Sequence, residues 1–198
     1  MTLLAAGSVN CSSKEPEESS APAASVGGEA TPAEAATPTP EPVATPAALS
    51  DAEIAKITDS VDSGEIEQAN VAIARAKHDS VKQFAQHMVA QHTASRQKGA
   101  DLVSKKGVTP ATSTLASNLQ NDGMKMVEKL KASDLAAFDA TYISGQIEEH
   151  QQVLQLLNSQ LIPSATDPDL KSLLTDARAM VERHIVEAKS IQQSLPSQ

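Results

Sequence analysis

From Ser50 onward, apolar residues return every three or four positions in four long stretches, the spacing of one face of an α-helix. Ser50-Asp51-Ala52-Glu53 is a capping box that opens the first stretch. Helix one is expected to run to about Lys77, with Ile54, Ile57, Val61, Ala69, Ala72 and Ile73 on one face. His78-Asp79-Ser80 marks a tight turn. Helix two, from about Val81 to Lys106, gathers Val81, Phe84, Ala85, Met88, Val89, Leu102 and Val103, while His87 falls on the opposite, wet side. Lys105-Lys106-Gly107 ends it, with cations at the negative end of the helix dipole and glycine as cap. Ser133 is expected to cap helix three, which continues to about Ile162 with Leu135, Phe138, Tyr142, Ile143, Val153, Leu154, Leu157 and Leu161 on its arc. Pro168 starts helix four, whose stripe holds Leu170, Leu173, Leu174, Ala177, Val181, Ile185, Ala188 and Ile191.

Between helices two and three lie Pro110 and a less regular helical segment from about Ser113 to Lys131, which Asn121-Asp122-Gly123 is expected to break. A connection of that size is long enough to cross a bundle, since ~18 helical residues span ~27 Å. The expected fold is therefore all-α: a ferritin-like four-helix bundle with a long, partly helical crossover between helices two and three. It occupies residues 49–198, after an acidic Pro/Ala/Glu/Thr-rich linker over 12–48 and a short apolar start over 1–11.

Each stripe carries one polar residue of ligand type near its middle: Glu65, His92, His150 and His184. Such groups are rarely left in a core without a partner. Helical rise puts the four within about one and a half turns of a common height. Glu-x-x-His pairs, which build ferritin-like di-iron sites, are missing: Val89, Ile147 and Val181 stand three residues before the histidines. Two readings remain. In the first, the set is a buried polar network that fixes helix register, with Asp139, Tyr142 and Gln146 as further partners. In the second, Glu65, His92, His150 and His184 hold one divalent metal ion, Zn, Fe, Mn or Cu. Met88 and Met180, each four residues before a histidine, would turn that site toward copper, although methionine at this spacing also serves as packing. No Ser-His-Asp set, phosphate loop or pair of catalytic carboxylates can be read, so a non-catalytic role is expected.

Composition narrows the partners. The net charge is -9, and -5 of it falls in the first 50 residues. An acidic chain without a basic cluster, with Phe84, Phe138 and Tyr142 as its aromatics, offers little to nucleic acid. Cys11, the single cysteine, excludes an internal disulfide. It follows the apolar start and precedes seven prolines between Pro16 and Pro46, an arrangement that resembles a bacterial lipoprotein signal followed by a stiff tether. The start lacks basic residues and is short for such a signal, and Asn10 stands where a small residue is expected. The expectation is a lipid anchor at Cys11 that holds the domain at the periplasmic face of the envelope, as an outer-membrane lipoprotein. The alternative is a plain disordered tail with an incidental cysteine.

The stretches Gly64-Glu65-Ile66-Glu67, Phe84 to Thr93, Phe138-Asp139-Ala140-Thr141-Tyr142 followed by His150, and His184-Ile185-Val186-Glu187-Ala188 together resemble the bacterial family known as domain of unknown function 4142. The resemblance covers Leu49 to about Leu195. It implies a ferritin-like bundle in an exported or envelope-associated protein, and no established activity. One position departs from the family pattern: Gln91 stands where an Asp usually precedes the first histidine.

Overall fold

A computed structural model describes residues 48–196, and in these every element is helical. Cys11 and nearly all of the linker lie outside the described residues. The order is α1 (Asp51–Arg75), α2 (Asp79–Lys106), α3 (Thr114–Ala132), α4 (Phe138–Leu156), a π-helical turn (Leu157–Leu161), a three-residue α5 (Ile162–Ser164) and α6 (Pro168–Ser194). None of the described helices is long and apolar enough to cross a membrane.

The capping box forms as expected: the Glu53 amide donates to the Ser50 hydroxyl at 3.3 Å, and the Ser50 amide to the Glu53 carboxylate at 2.9 Å. Gly107 closes α2 in the left-handed conformation, φ 66°. Two other expected boundaries move. α3 is unbroken through Asn121-Asp122-Gly123 because Gly123 packs against a helix instead of turning the chain: the Cα of Gly64 lies 3.3 Å from where a Cβ on Gly123 would sit. Ser133 ends α3 rather than starting the next helix, its hydroxyl bonding the Leu130 carbonyl at 2.9 Å, and Leu135 is exposed. α4 begins only at Phe138. Its far end passes through the π-turn, where the Ile162 amide reaches back to the Leu157 carbonyl, immediately before Pro163, which has no amide to donate.

The chain's course follows from its end contacts. The Ala111 amide bonds the Ala52 carbonyl at 2.9 Å, so α3 starts beside the first turn of α1. Arg75, at the other end of α1, donates to the carbonyls of Lys131 and Ser133 and lies 5.3 Å over the Phe138 ring. α3 thus runs along α1 and returns the chain to the α1–α2 turn. Asp139 fastens α4 there by accepting the backbone amides of Lys77 and His78 at 2.8–3.2 Å. At the opposite end Asp51 accepts from the Thr166 and Asp167 amides, and Lys106 pairs with Asp167 at 2.7 Å. α1 packs on α2 and α3, α4 on α6, and α2 on α6.

The apolar core has two parts. One centres on Phe84, Phe138, Tyr142 and Ile143, and the other on Ile54, Ile57, Leu157, Leu161 and Leu174. Along α1, α2 and α4 the buried polar residues fall between these two groups: Asp62, Glu65 and Gln68, then His92, then Gln146 and His150. His184 of α6 comes to the same level, against His150. A polar layer therefore crosses the middle of the bundle.

Candidate functional site

Three helices each bring one imidazole to this layer. His92, His150 and His184 are all 2 % exposed, and their ring centroids stand 5.1–5.8 Å apart. One ring nitrogen from each lies within 4.8 Å of the other two. Each ring is also held at its far nitrogen. Nδ1 of His92 meets the Asp62 carboxylate at 2.7 Å. Nδ1 of His150 donates to the Gln146 carbonyl at 2.9 Å, a bond within one turn of α4. Nε2 of His184 faces the Gln91 side-chain oxygen at 3.1 Å.

Tautomers follow from these partners. An imidazole that gives its one proton to an outer acceptor keeps a lone pair on the inner nitrogen. For His92 that is Nε2, which is buried and has no partner among the described residues. For His150 it is Nε2, and for His184 it is Nδ1, and these two face each other at 3.1 Å. Burial pushes the His150 ring well below the usual histidine range, and the charges of His92 and His184 push it the same way. Burial also brings His184 down to about 3. Burial therefore keeps His150 and His184 neutral, and with these tautomers one lone pair from each of the three rings points into one small volume.

Glu65 does not stand with them. Its carboxylate lies 3.6 Å from Nδ1 of His150, the outer nitrogen already bonded to Gln146, so Glu65 backs a ring instead of entering the group. Of the expected helpers, Gln146 belongs to the layer, donating its amide to Gln68 at 2.9 Å. Tyr142 is fully buried beside it, with its hydroxyl unpartnered. Asp139 serves elsewhere, as the clamp on the α1–α2 turn. Met88 packs in the apolar core, His87 is exposed beside Glu187, and Met180 lines a cleft.

Three participants were not expected. Asp62 and Gln68 lie three residues on either side of Glu65 and so share its side of α1. They are buried because α1 is covered on two sides, by α2 and by α3, a width that a single apolar stripe does not announce. Glu149 is the third, reaching Gln68 at 3.3 Å next to Glu65. Burial raises Glu65 to about 7 and Glu149 to about 8, with their mutual repulsion adding to the latter. The expectation of one inward carboxylate is corrected accordingly.

These shifts predict the pH profile of the metal-free protein. Between the ordinary carboxyl value of 4.5 and about 7 to 8, the folded state keeps protons that the unfolded chain has released, so stability falls as pH rises. Below 6.5 the unfolded chain binds protons that His150 and His184 refuse, so stability falls as pH drops. Urea midpoints measured with a chelator present should peak between about pH 4.5 and 6.5. Glu149→Gln should flatten the alkaline limb, and an unchanged limb would remove Glu149 from the account.

A family described as Domain of unknown function (DUF4142) matches residues 36–191. The chain belongs to that family. No curated protein and no solved structure matches it. Within the DUF4142 match lie all three histidines and every acceptor that holds them. At the position where an Asp was anticipated before His92, Gln91 supports His184 instead, and the carboxylate for His92 comes from Asp62 on α1.

Proposed function

We propose that this protein binds one divalent transition-metal ion through His92, His150 and His184, for sequestration or stress protection in the cell envelope. The observation that carries the reading is the orientation of the three rings. Histidines that ligate metals give the far N–H to a carboxylate, a carbonyl or a similar acceptor, which fixes the tautomer and aims the lone pair. Asp62, the Gln146 carbonyl and Gln91 are those acceptors here. Nitrogen ligands alone suit Zn, Cu or Fe. At metal–nitrogen distances of ~2.0–2.1 Å a tetrahedral ion spaces its ligands ~3.3–3.4 Å apart, so the widest pair of the group closes by up to about 1.4 Å on binding. Glu65, 3.6 Å from Nδ1 of His150, lies close enough to lend countercharge.

A core polar network is the second reading, favoured by the direct contact of His150 with His184. With the Gln91 amide turned over, His184 would donate to His150 and the pair would be satisfied. His92 Nε2 would still be left buried without a partner, at a cost of about 1–3 kcal/mol. Metal analysis of the untagged protein after loading with Zn, Fe, Mn and Cu in turn separates the two. One equivalent of at least one metal is expected, and less than a tenth of an equivalent of each would leave the network.

The envelope location rests on Cys11 and the proline-rich tether. Full-length protein should sediment with membranes in a lipoprotein-processing host, and Cys11→Ser should release it. Wild-type protein that is already soluble would remove the anchor.

A further inference from the structure

The void at the α1-start end of the bundle has a cause in sequence. Between His92 and Leu102, α2 has no large apolar residue, and Ser95 and Gly99 take its inward positions. Across from them α6 presents Ala177. Two and a half turns of α2 whose inward side chains are small leave a cleft of about 260 Å³ between α1, α2, the π-turn and α6. Its walls are mainly aliphatic, with Leu157 and Leu161 of the π-turn among them. A Cβ built on Gly99 would meet no atom within 4 Å. Asp59 and Arg96, two polar residues of the lining, neutralise each other at 2.9 Å. His92, 2 % exposed and with Nε2 unpartnered, also lines this cleft.

We infer that this cleft is a binding site for a small, uncharged, largely apolar molecule, held by shape and by contact with the aliphatic wall. Size sets the scale: a dry cavity of about 150 Å³ holds benzene, so this one holds roughly ten non-hydrogen atoms. The aliphatic wall selects against ions, which would be stripped of water without compensation, and Asp62, the lining carboxylate outside the Asp59–Arg96 pair, is committed to His92 Nδ1 at 2.7 Å. Small one- or two-ring aromatic molecules fit this description. The inference does not depend on metal occupancy, because the space is present without an ion and neither His150 nor His184 lines it.

Indole is a suitable probe, because the chain has no tryptophan and indole fluorescence reports binding directly. In chelator-treated full-length protein, indole and phenol should each bind once, with sub-millimolar Kd. Toluene should bind at least as tightly as phenol, and benzoate at least tenfold more weakly than phenol. Gly99→Phe and Ala177→Phe fill the cleft from opposite walls and should each weaken indole at least tenfold. Gly99→Phe should also keep or raise the melting temperature, since a helix-interior glycine is replaced. Absence of saturable indole binding would overturn the inference, as would equal affinity in whichever filled variant folds. Benzoate binding as tightly as phenol would overturn the uncharged class, and toluene binding much more weakly than phenol would overturn the apolar one. Chelation keeps these outcomes separate from the metal reading.

Discussion

Single replacement of His92, His150 or His184 by alanine is expected to abolish metal binding, while Asp62→Asn should weaken it ~10–100-fold. The asymmetry follows from geometry. Each imidazole contributes one of three inward lone pairs, and two nitrogens do not hold a buried ion in a site this closed. Asp62 touches no inward nitrogen: its 2.7 Å bond to His92 Nδ1 sets which nitrogen keeps the lone pair. Asparagine retains an acceptor but removes the negative charge. A ligand at one hundred times its Kd adds about 2.7 kcal/mol to stability. In a domain of this size that corresponds to a rise of roughly 5–10 °C in Tm. Wild type should show the rise with the metal that binds, and the three alanine variants should show none. Circular dichroism of the metal-free variants guards against confusing unfolding with ligand loss. Binding that survives in all three folded variants would place the ion elsewhere.

The second large effect concerns packing. Gly123→Leu is expected to destabilise the protein by about 1–3 kcal/mol, whereas Gly64→Ala should be neutral or stabilising by up to ~1 kcal/mol. At Gly123 even a Cβ would sit 3.3 Å from the Gly64 Cα, and backbone cannot step aside as a side-chain tip can. A leucine there must push α3 off α1. At Gly64 a methyl would meet the Gly123 Cα at 3.5 Å, an ordinary contact, and alanine raises helix propensity. Urea denaturation of both variants measures the difference. Equal stabilities would show that α3 does not depend on the close approach. Because α3 covers the side of α1 that carries Glu65 and Gln68, its displacement should also wet the polar layer and lower the raised pKa of Glu65.

Much of this was open to reading in the chain. Helix periodicity, the capping box at Ser50, the glycine cap at Gly107 and Pro168 at its favoured first turn are local signals, and local physics sufficed for them. The inward positions of Glu65, His92, His150 and His184 followed from the same periodicity, and all four are buried. Asn121-Asp122-Gly123 misled because a glycine that permits helix contact is written the same way as one that turns the chain. Ser133 misled because a helix end and a helix start both favour serine, and the Leu130 carbonyl was the nearer partner.

What the sequence determined by itself is therefore the set of helices, the faces they bury and the residue types placed on those faces. Only the tertiary structure decided which of those residues meet. A periodicity argument gives direction and rough height, but a shared site depends on ring orientation and on partners from other helices. That is why Glu65 stands behind His150 instead of beside the three imidazoles, and why Asp62, on a second buried side of α1, aims His92. It is also why the small residues of α2 and α6 become a cleft only when the two helices lie together.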